Sequence, residues 1–119
     1  MNNENLKQRT KQFALRVIRL VESLPHDRTC DILGKQLLRA GTSVGANYRA
    51  ACRAKSTADF ISKLGTVEEE ADESGYWMEL LVDAKKIQPA KISALAQEAG
   101  ELTAIAVSSI NTARKSRSR

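Results

Sequence analysis

Five carboxylates, Glu68, Glu69, Glu70, Asp72 and Glu73, crowd into six positions of a 119-residue chain whose net charge is +5. Clustered carboxylates can perform general acid–base work, but only in a cleft and beside a partner of different pKa. No Ser-His-Asp set, glycine-rich phosphate loop or metal triad accompanies them, so no catalytic residue, no cofactor and no enzymatic activity are expected. Cys30 and Cys52 lie 22 apart without a CxxC spacing, and His26 is the sole histidine. A zinc site needs four ligands, so no metal is expected. The start of the chain is polar and has no apolar h-region, so the expected location is the cytoplasm and the two thiols should stay reduced.

The remaining chemistry is electrostatic. Arg9 and Arg16 are seven apart and Arg49 and Arg53 four apart, so each pair shares a helix face. Arg114, Lys115, Arg117 and Arg119 close the chain. Such side chains are ordinary solvated charge in a monomer. In an oligomer every patch is repeated, and polyvalent contact with nucleic-acid phosphates becomes available.

These groups must be carried by helices. Apolar residues make up 42% of the chain but aromatics only 4%, strand formers are scarce, and no Asn-Gly or Asp-Gly hairpin signal occurs. One core is all that this length supports. Leu6, Phe13, Val17, Leu20 and Leu24 form one face of a first helix, which Pro25 ends. Leu33, Leu37, Ala40, Val44, Asn47 and Ala51 form the seam of a second helix, from about Thr29 to Arg53, with Asp27 or Thr29 as its cap. Phe60, Leu64, Val67, Ala71, Ser74, Met78 and Leu81 follow spacings of four and three, the period of bundle packing. This third helix starts after Ser56 and runs to about Lys86. Pro89 opens the fourth, with Ile92, Leu95, Ala99, Leu102, Ile105, Ala106, Ser109 and Ala113 on its seam. Residues 1–111 should therefore be the bundle domain, and residues 112–119 a disordered basic tail. No apolar run approaches the roughly 20 residues that cross a bilayer, so no membrane partner is expected.

Short connections make sequential helices antiparallel neighbours. The expected fold is all-α, an up-down-up-down four-helix bundle. Opposed positions of the second and third helices should then sum to about 111, which sets Arg39 beside Asp72. The acidic group reads as ion pairing, within the bundle or between subunits, or as a solvated face, rather than as a catalytic site. Asn47, on an apolar seam, is a candidate for fixing register or oligomeric state. Gly41 and Gly45 weaken the second helix by about 1 kcal/mol each and suggest a close approach of another backbone; Gly65 and Gly75 suggest it less strongly. Tyr76 and Trp77 suit core or subunit-interface packing better than base stacking. Charge is divided as well: residues 1–55 carry +7 and residues 56–111 carry −6, which predicts a two-faced bundle.

Two blocks carry a resemblance. Gln36-Leu-Leu-Arg39-Ala40-Gly-Thr-Ser43-Val44-Gly-Ala46-Asn47-Tyr48 and Phe60-Ile-x-Lys63-Leu64 followed by Glu70-Ala71-Asp72-Glu73-x-x-Tyr76-Trp77-x-Glu79-Leu80-Leu81 resemble the second- and third-helix signatures of the 23S rRNA-intervening-sequence proteins. The match spans about residues 6–110, and Tyr-Arg-Ala-Ala-Cys at 48–52 departs from the usual pattern. The resemblance implies a four-helix bundle assembling as a homopentamer. A related branch, the accessory protein of diversity-generating retroelements, implies two kinds of partner besides the chain itself: RNA or DNA, and a reverse transcriptase. The expected function is thus a non-enzymatic oligomeric bundle binding RNA or DNA, with a structural or adaptor bundle as the alternative.

Overall fold

The computed structural model describes residues 3–117, and these form four helices and no strand: α1 (Asn3–Glu22), α2 (Arg28–Cys52), α3 (Thr57–Asp83) and α4 (Pro89–Arg117). Each packs antiparallel to its sequence neighbour, giving a rod of 52 × 21 × 19 Å. Contacts are dense between α1 and α2, α2 and α3, and α3 and α4, and sparse between α1 and α4.

The helix starts follow from local chemistry. Asp27 caps α2 by accepting from the Cys30 N–H at 2.8 Å. Ser56 caps α3 by accepting from the Asp59 N–H at 3.0 Å, while the Asp59 carboxylate reaches back to the Lys55 N–H at 3.1 Å. The first bond satisfies one of the donors that a helix start leaves open, and the second holds the chain that enters the helix. At the other end of α3, the Lys86 N–H donates to the Leu81 carbonyl and the Lys85 N–H to that of Val82, both at 2.9 Å. Such crossed bonds need a left-handed residue past the helix end, a place usually held by glycine; here it is Lys85, at φ 60°. Lys86 Nζ then pairs with Asp27 at 3.2 Å, tying the α3–α4 turn to the α1–α2 turn.

The expected seams fill the core. Every α3 seam residue is buried except Phe60, which packs against the core's edge, and Leu6, Phe13, Val17 and Leu20 of α1 are all buried, as is Leu24 just past its end. Thr10 shares that α1 face although it is polar; its hydroxyl donates to the Leu6 carbonyl at 2.9 Å, which removes the burial penalty. In α2 the buried face is broader than a seam. Cys30, Gly34, Gly41 and Tyr48 are buried along with Leu37, Ala40, Val44 and Ala51, whereas Leu33 and Asn47 stay half-buried.

Gly41 and Gly45 face α1 at close range. A Cβ on Gly41 would lie 2.8 Å from both Val17 γ-carbons, and one on Gly45 would lie 3.2 Å from Thr10 Oγ1. The glycines are what lets α1 settle this deeply onto α2. Gly65 and Gly75 make no such approach within the chain, since a Cβ at either meets nothing within 4 Å.

The helical tail differs from expectation. α4 does not end near Asn111 but runs on to Arg117. Ile110 is buried and Ala113 half-buried, so packing continues past 111, and the cations of the last turn face the negative end of the helix dipole. Arg119 lies outside the described residues.

Candidate nucleic-acid interface

Antiparallel packing gathers onto one end of the rod the start of α1, the end of α2, the start of α3 and the end of α4. Residues 3–10, 46–64 and 105–117 hold nine Lys or Arg (Lys7, Arg9, Arg49, Arg53, Lys55, Lys63, Arg114, Lys115, Arg117) against two carboxylates, Glu4 and Asp59. That end carries +7 by count, with one of its cations, Arg9, turned toward carboxylates of the middle layer, Glu98 and Glu101. The middle layer (residues 11–18, 36–45, 65–78 and 93–104) holds three cations against seven carboxylates, and the far end is nearly balanced. Charge is thus segregated along the axis, in addition to the division between the α1–α2 and α3–α4 sides that the sequence predicts.

The individual arginines have different fates. Arg49 borders a groove of about 470 Å³ between α1 and α2, with Lys7, Lys11 and Glu4 on the same rim. Arg53 is the exposed C-cap of α2. Lys115 and Arg117 are exposed on the last turn of α4, and Arg114 stands beside them. Among the described residues no carboxylate lies within ion-pairing distance of Arg49, Arg53, Lys115 or Arg117. Arg16 sits half-exposed in the middle of α1, away from the basic end.

Arg9 is withdrawn from the interface. Its Nε and Nη2 donate to the two oxygens of Glu98, each at 2.7 Å, and Nη2 also reaches Glu101 at 2.9 Å. Arg9 is 25% exposed and Glu98 15%. The Glu98 bond, the leading cause, pushes the already high guanidinium pKa higher, against the opposing effect of burial. This fork joins α1 to α4 across a separation of 89 residues, for which no local sequence signal exists.

The acidic group is held by a different partner arrangement from the expected one. Arg39 bonds Glu70 at 3.0 Å and also Glu73, which lie at sums of 109 and 112 and so straddle the predicted 111. Asp72, the expected partner, points to solvent, because one residue in a helix turns the side chain by about 100°. Glu73 additionally accepts from Trp77 Nε1 at 3.0 Å, and this bond, followed by that of Arg39, holds its carboxyl below the usual range. Glu73 is therefore held in its ionised form, as an anchor for Arg39 and Trp77. Asn47 donates from its side chain to the Ser43 carbonyl at 2.8 Å, within its own helix, so its polar contact is local. Burial pushes the Cys30 thiol up, and Cys30 and Cys52 are both free. Among the described residues no three His, Cys, Asp or Glu side chains converge as metal ligands, and no helix is long and apolar enough to cross a membrane.

A second surface feature lies on the opposite side. An open groove of about 510 Å³ runs between α3 and α4, floored by Ala71, Gly75, Ala99 and Gly100 and edged by Asp72, Glu79 and Asp83. Tyr76 stands at its margin, 52% exposed, with its ring edge-on to Trp77.

Comparison with known proteins bears on the whole chain. A crystal structure of a protein of unknown function from the S23 ribosomal protein family, from Bacteroides thetaiotaomicron, superposes with a TM-score of 0.86 at 35% identity, covering 93% of this chain and 99% of that one. No curated protein matches. The model of the 23S rRNA-intervening sequence protein family matches residues 2–108, and with the four-helix architecture and both helix signatures in place, the chain belongs to that family.

Proposed function

We propose that this chain is a non-enzymatic cytoplasmic bundle that assembles with copies of itself, as a pentamer, and binds RNA or DNA phosphates with its basic end. The observation that carries the reading is the excess of cations gathered at one end of the rod, with Arg49, Arg53, Lys115 and Arg117 exposed there. Phosphate contact through such groups is insensitive to sequence and steeply dependent on salt. Five copies aligned in a ring would present five basic ends on one rim, so weak single contacts would add into firm binding.

Self-association is supported by the α3–α4 groove. Gly75 and Gly100 leave open space on its floor, room for the backbone of another helix. Its acidic rim complements the α1–α2 side of a second copy, which carries the opposite charge. Contact between two different patches is heterologous, and such contacts close into rings when the rotation allows. The number five comes from the family resemblance.

Labelled RNA titrated with the full chain tests the first part: a mobility shift is expected at low salt and should weaken strongly at moderate salt. Absence of a shift at low salt would overturn it. Light scattering tests the second, with a monomeric mass as the refuting result; Gly100→Trp, which fills the groove, should release smaller species. The acidic rim also favours a second reading, in which the groove seats a basic protein, such as a retroelement reverse transcriptase, and the chain has no direct nucleic-acid role. A monomeric mass together with no RNA shift would favour that alternative.

A further inference from the structure

The Arg9 fork ties α1 to α4, and residues of both helices toward the basic end border one surface depression. Between them lies an open-mouthed cavity of about 500 Å³, comparable in volume to small-ligand sites. Leu6, Phe60 and Ile105 form its apolar part, and Asn3, Tyr48 and Ser109 contribute polar groups. The Tyr48 hydroxyl donates to Asn3 Oδ1 at 3.2 Å, and burial pushes its pKa up, so it stays a neutral phenol. Behind the cavity, Leu6, Tyr48, Ile105 and Ser109 also border a small void reaching Leu64 and Leu102 in the core.

We propose that this cavity takes one unstacked base of a single-stranded nucleic acid whose phosphates lie on the surrounding cations. The inference rests on the phosphate-binding reading above and deepens it by naming the strand form. Three observations select the occupant. The cavity sits in the end of the rod that carries +7, which favours a group tethered to anions. Its lining mixes hydroxyl and amide groups with apolar carbon; an acyl chain would leave the Asn3 amide N–H and the Ser109 hydroxyl against hydrocarbon, whereas a base edge can hydrogen-bond to them. Phe60 is only partly buried and offers a flat ring, and base–aromatic stacking tolerates any sequence. A duplex keeps its bases paired and cannot fill the cavity without expelling one.

The test uses the full chain and two probes of equal length, a single strand containing 2-aminopurine and its duplex. The single strand should bind more tightly at low salt, with a change in 2-aminopurine emission as the base leaves its stack. Phe60→Leu keeps apolar volume but removes the ring, and Thr112→Trp plugs the mouth from an exposed position. Each should weaken single-strand binding about five- to a hundredfold while leaving duplex binding unchanged, the span that loss of one stacked base allows. Arg117→Glu should weaken both probes alike. Equal binding of the two probes with no emission change, or variants that weaken single-strand and duplex binding equally or leave both intact, would overturn the pocket and leave the phosphate reading standing. Failure of both probes to bind at low salt would overturn the phosphate reading, and the pocket with it.

Discussion

Gly41→Ala should destabilise the bundle even though alanine is the best helix former. The new Cβ would lie 2.8 Å from both Val17 γ-carbons and 3.0 Å from the Val17 Cβ. Valine in a helix is nearly confined to one rotamer, so its methyls cannot swing away. α1 would instead have to retreat from α2, and overpacking of this kind costs about 1–3 kcal/mol. Against that stands a gain of about 1 kcal/mol from replacing glycine within a helix. The expected net loss is therefore about 1 kcal/mol. Urea unfolding followed by circular dichroism would read it as a lower midpoint at unchanged slope. Gly65→Ala is the control: a Cβ there meets nothing within 4 Å, so the same substitution should stabilise by about 0.5–1 kcal/mol. In a Val17→Ala background both γ-carbon clashes are gone and only the tight Cβ contact at 3.0 Å is left, so Gly41→Ala should lose most of its cost, a coupling of about 1–2 kcal/mol. If Gly41→Ala raises the midpoint as much as Gly65→Ala does, the close-approach argument is wrong.

Four further outcomes are expected. Arg9→Ala strands the mostly buried Glu98 and should lower stability by about 1–3 kcal/mol in urea unfolding, with Arg9→Gln/Glu98→Gln losing less than Arg9→Ala. Asp72→Asn should change stability by less than about 0.5 kcal/mol, while Glu73→Gln, which touches Arg39 and Trp77, should cost more; equal effects would contradict the observed pairing. Lys85→Gly should stabilise by about 1 kcal/mol, since only glycine adopts the left-handed position without strain, and an unchanged melting midpoint would count against the crossed-bond turn. Acid should destabilise the fold. Asp27, bonded first by the Cys30 N–H, Asp59, bonded first by Lys63, and Glu73, bonded first by Trp77, all have depressed pKa values. Their contribution is present above the ordinary carboxylate range and is lost as pH falls through the folded values, below about pH 4. A melting midpoint that stays flat from pH 5 to 3 would refute this.

The regular features of this molecule were legible because they repeat. The four-three spacing from Phe60 to Leu81 needs only helix periodicity to find the core, and Asp27 and Ser56 announce helix starts by chemistry confined to three or four residues. Register across the α2–α3 turn follows from counting outward from a short connection. What escaped has no local signature. The Arg9 fork depends on how α1 lies against α4, the pair with the least contact, so no turn fixes its register. Arg39 found Glu70 and Glu73 rather than Asp72 because summed positions locate a level on the rod but not an angle around the helix. Thr10 escaped because its burial depends on satisfying its hydroxyl within the helix. The basic end is a property of four chain segments brought level, so charge counted along the sequence reveals two halves and misses the axis.

Asn3 and Thr112 line one cavity, so the first and last described turns of the chain stand side by side at the basic end. Any affinity tag or fluorescent label attached beside Asn3 or Thr112 would therefore sit on the surface assigned to phosphates, and a polyhistidine or acidic linker there would mask or mimic binding. The exposed turn at His26 lies at the opposite end of the rod. Insertions for labelling, surface tethering or optical trapping belong in that turn, where they leave the basic end bare.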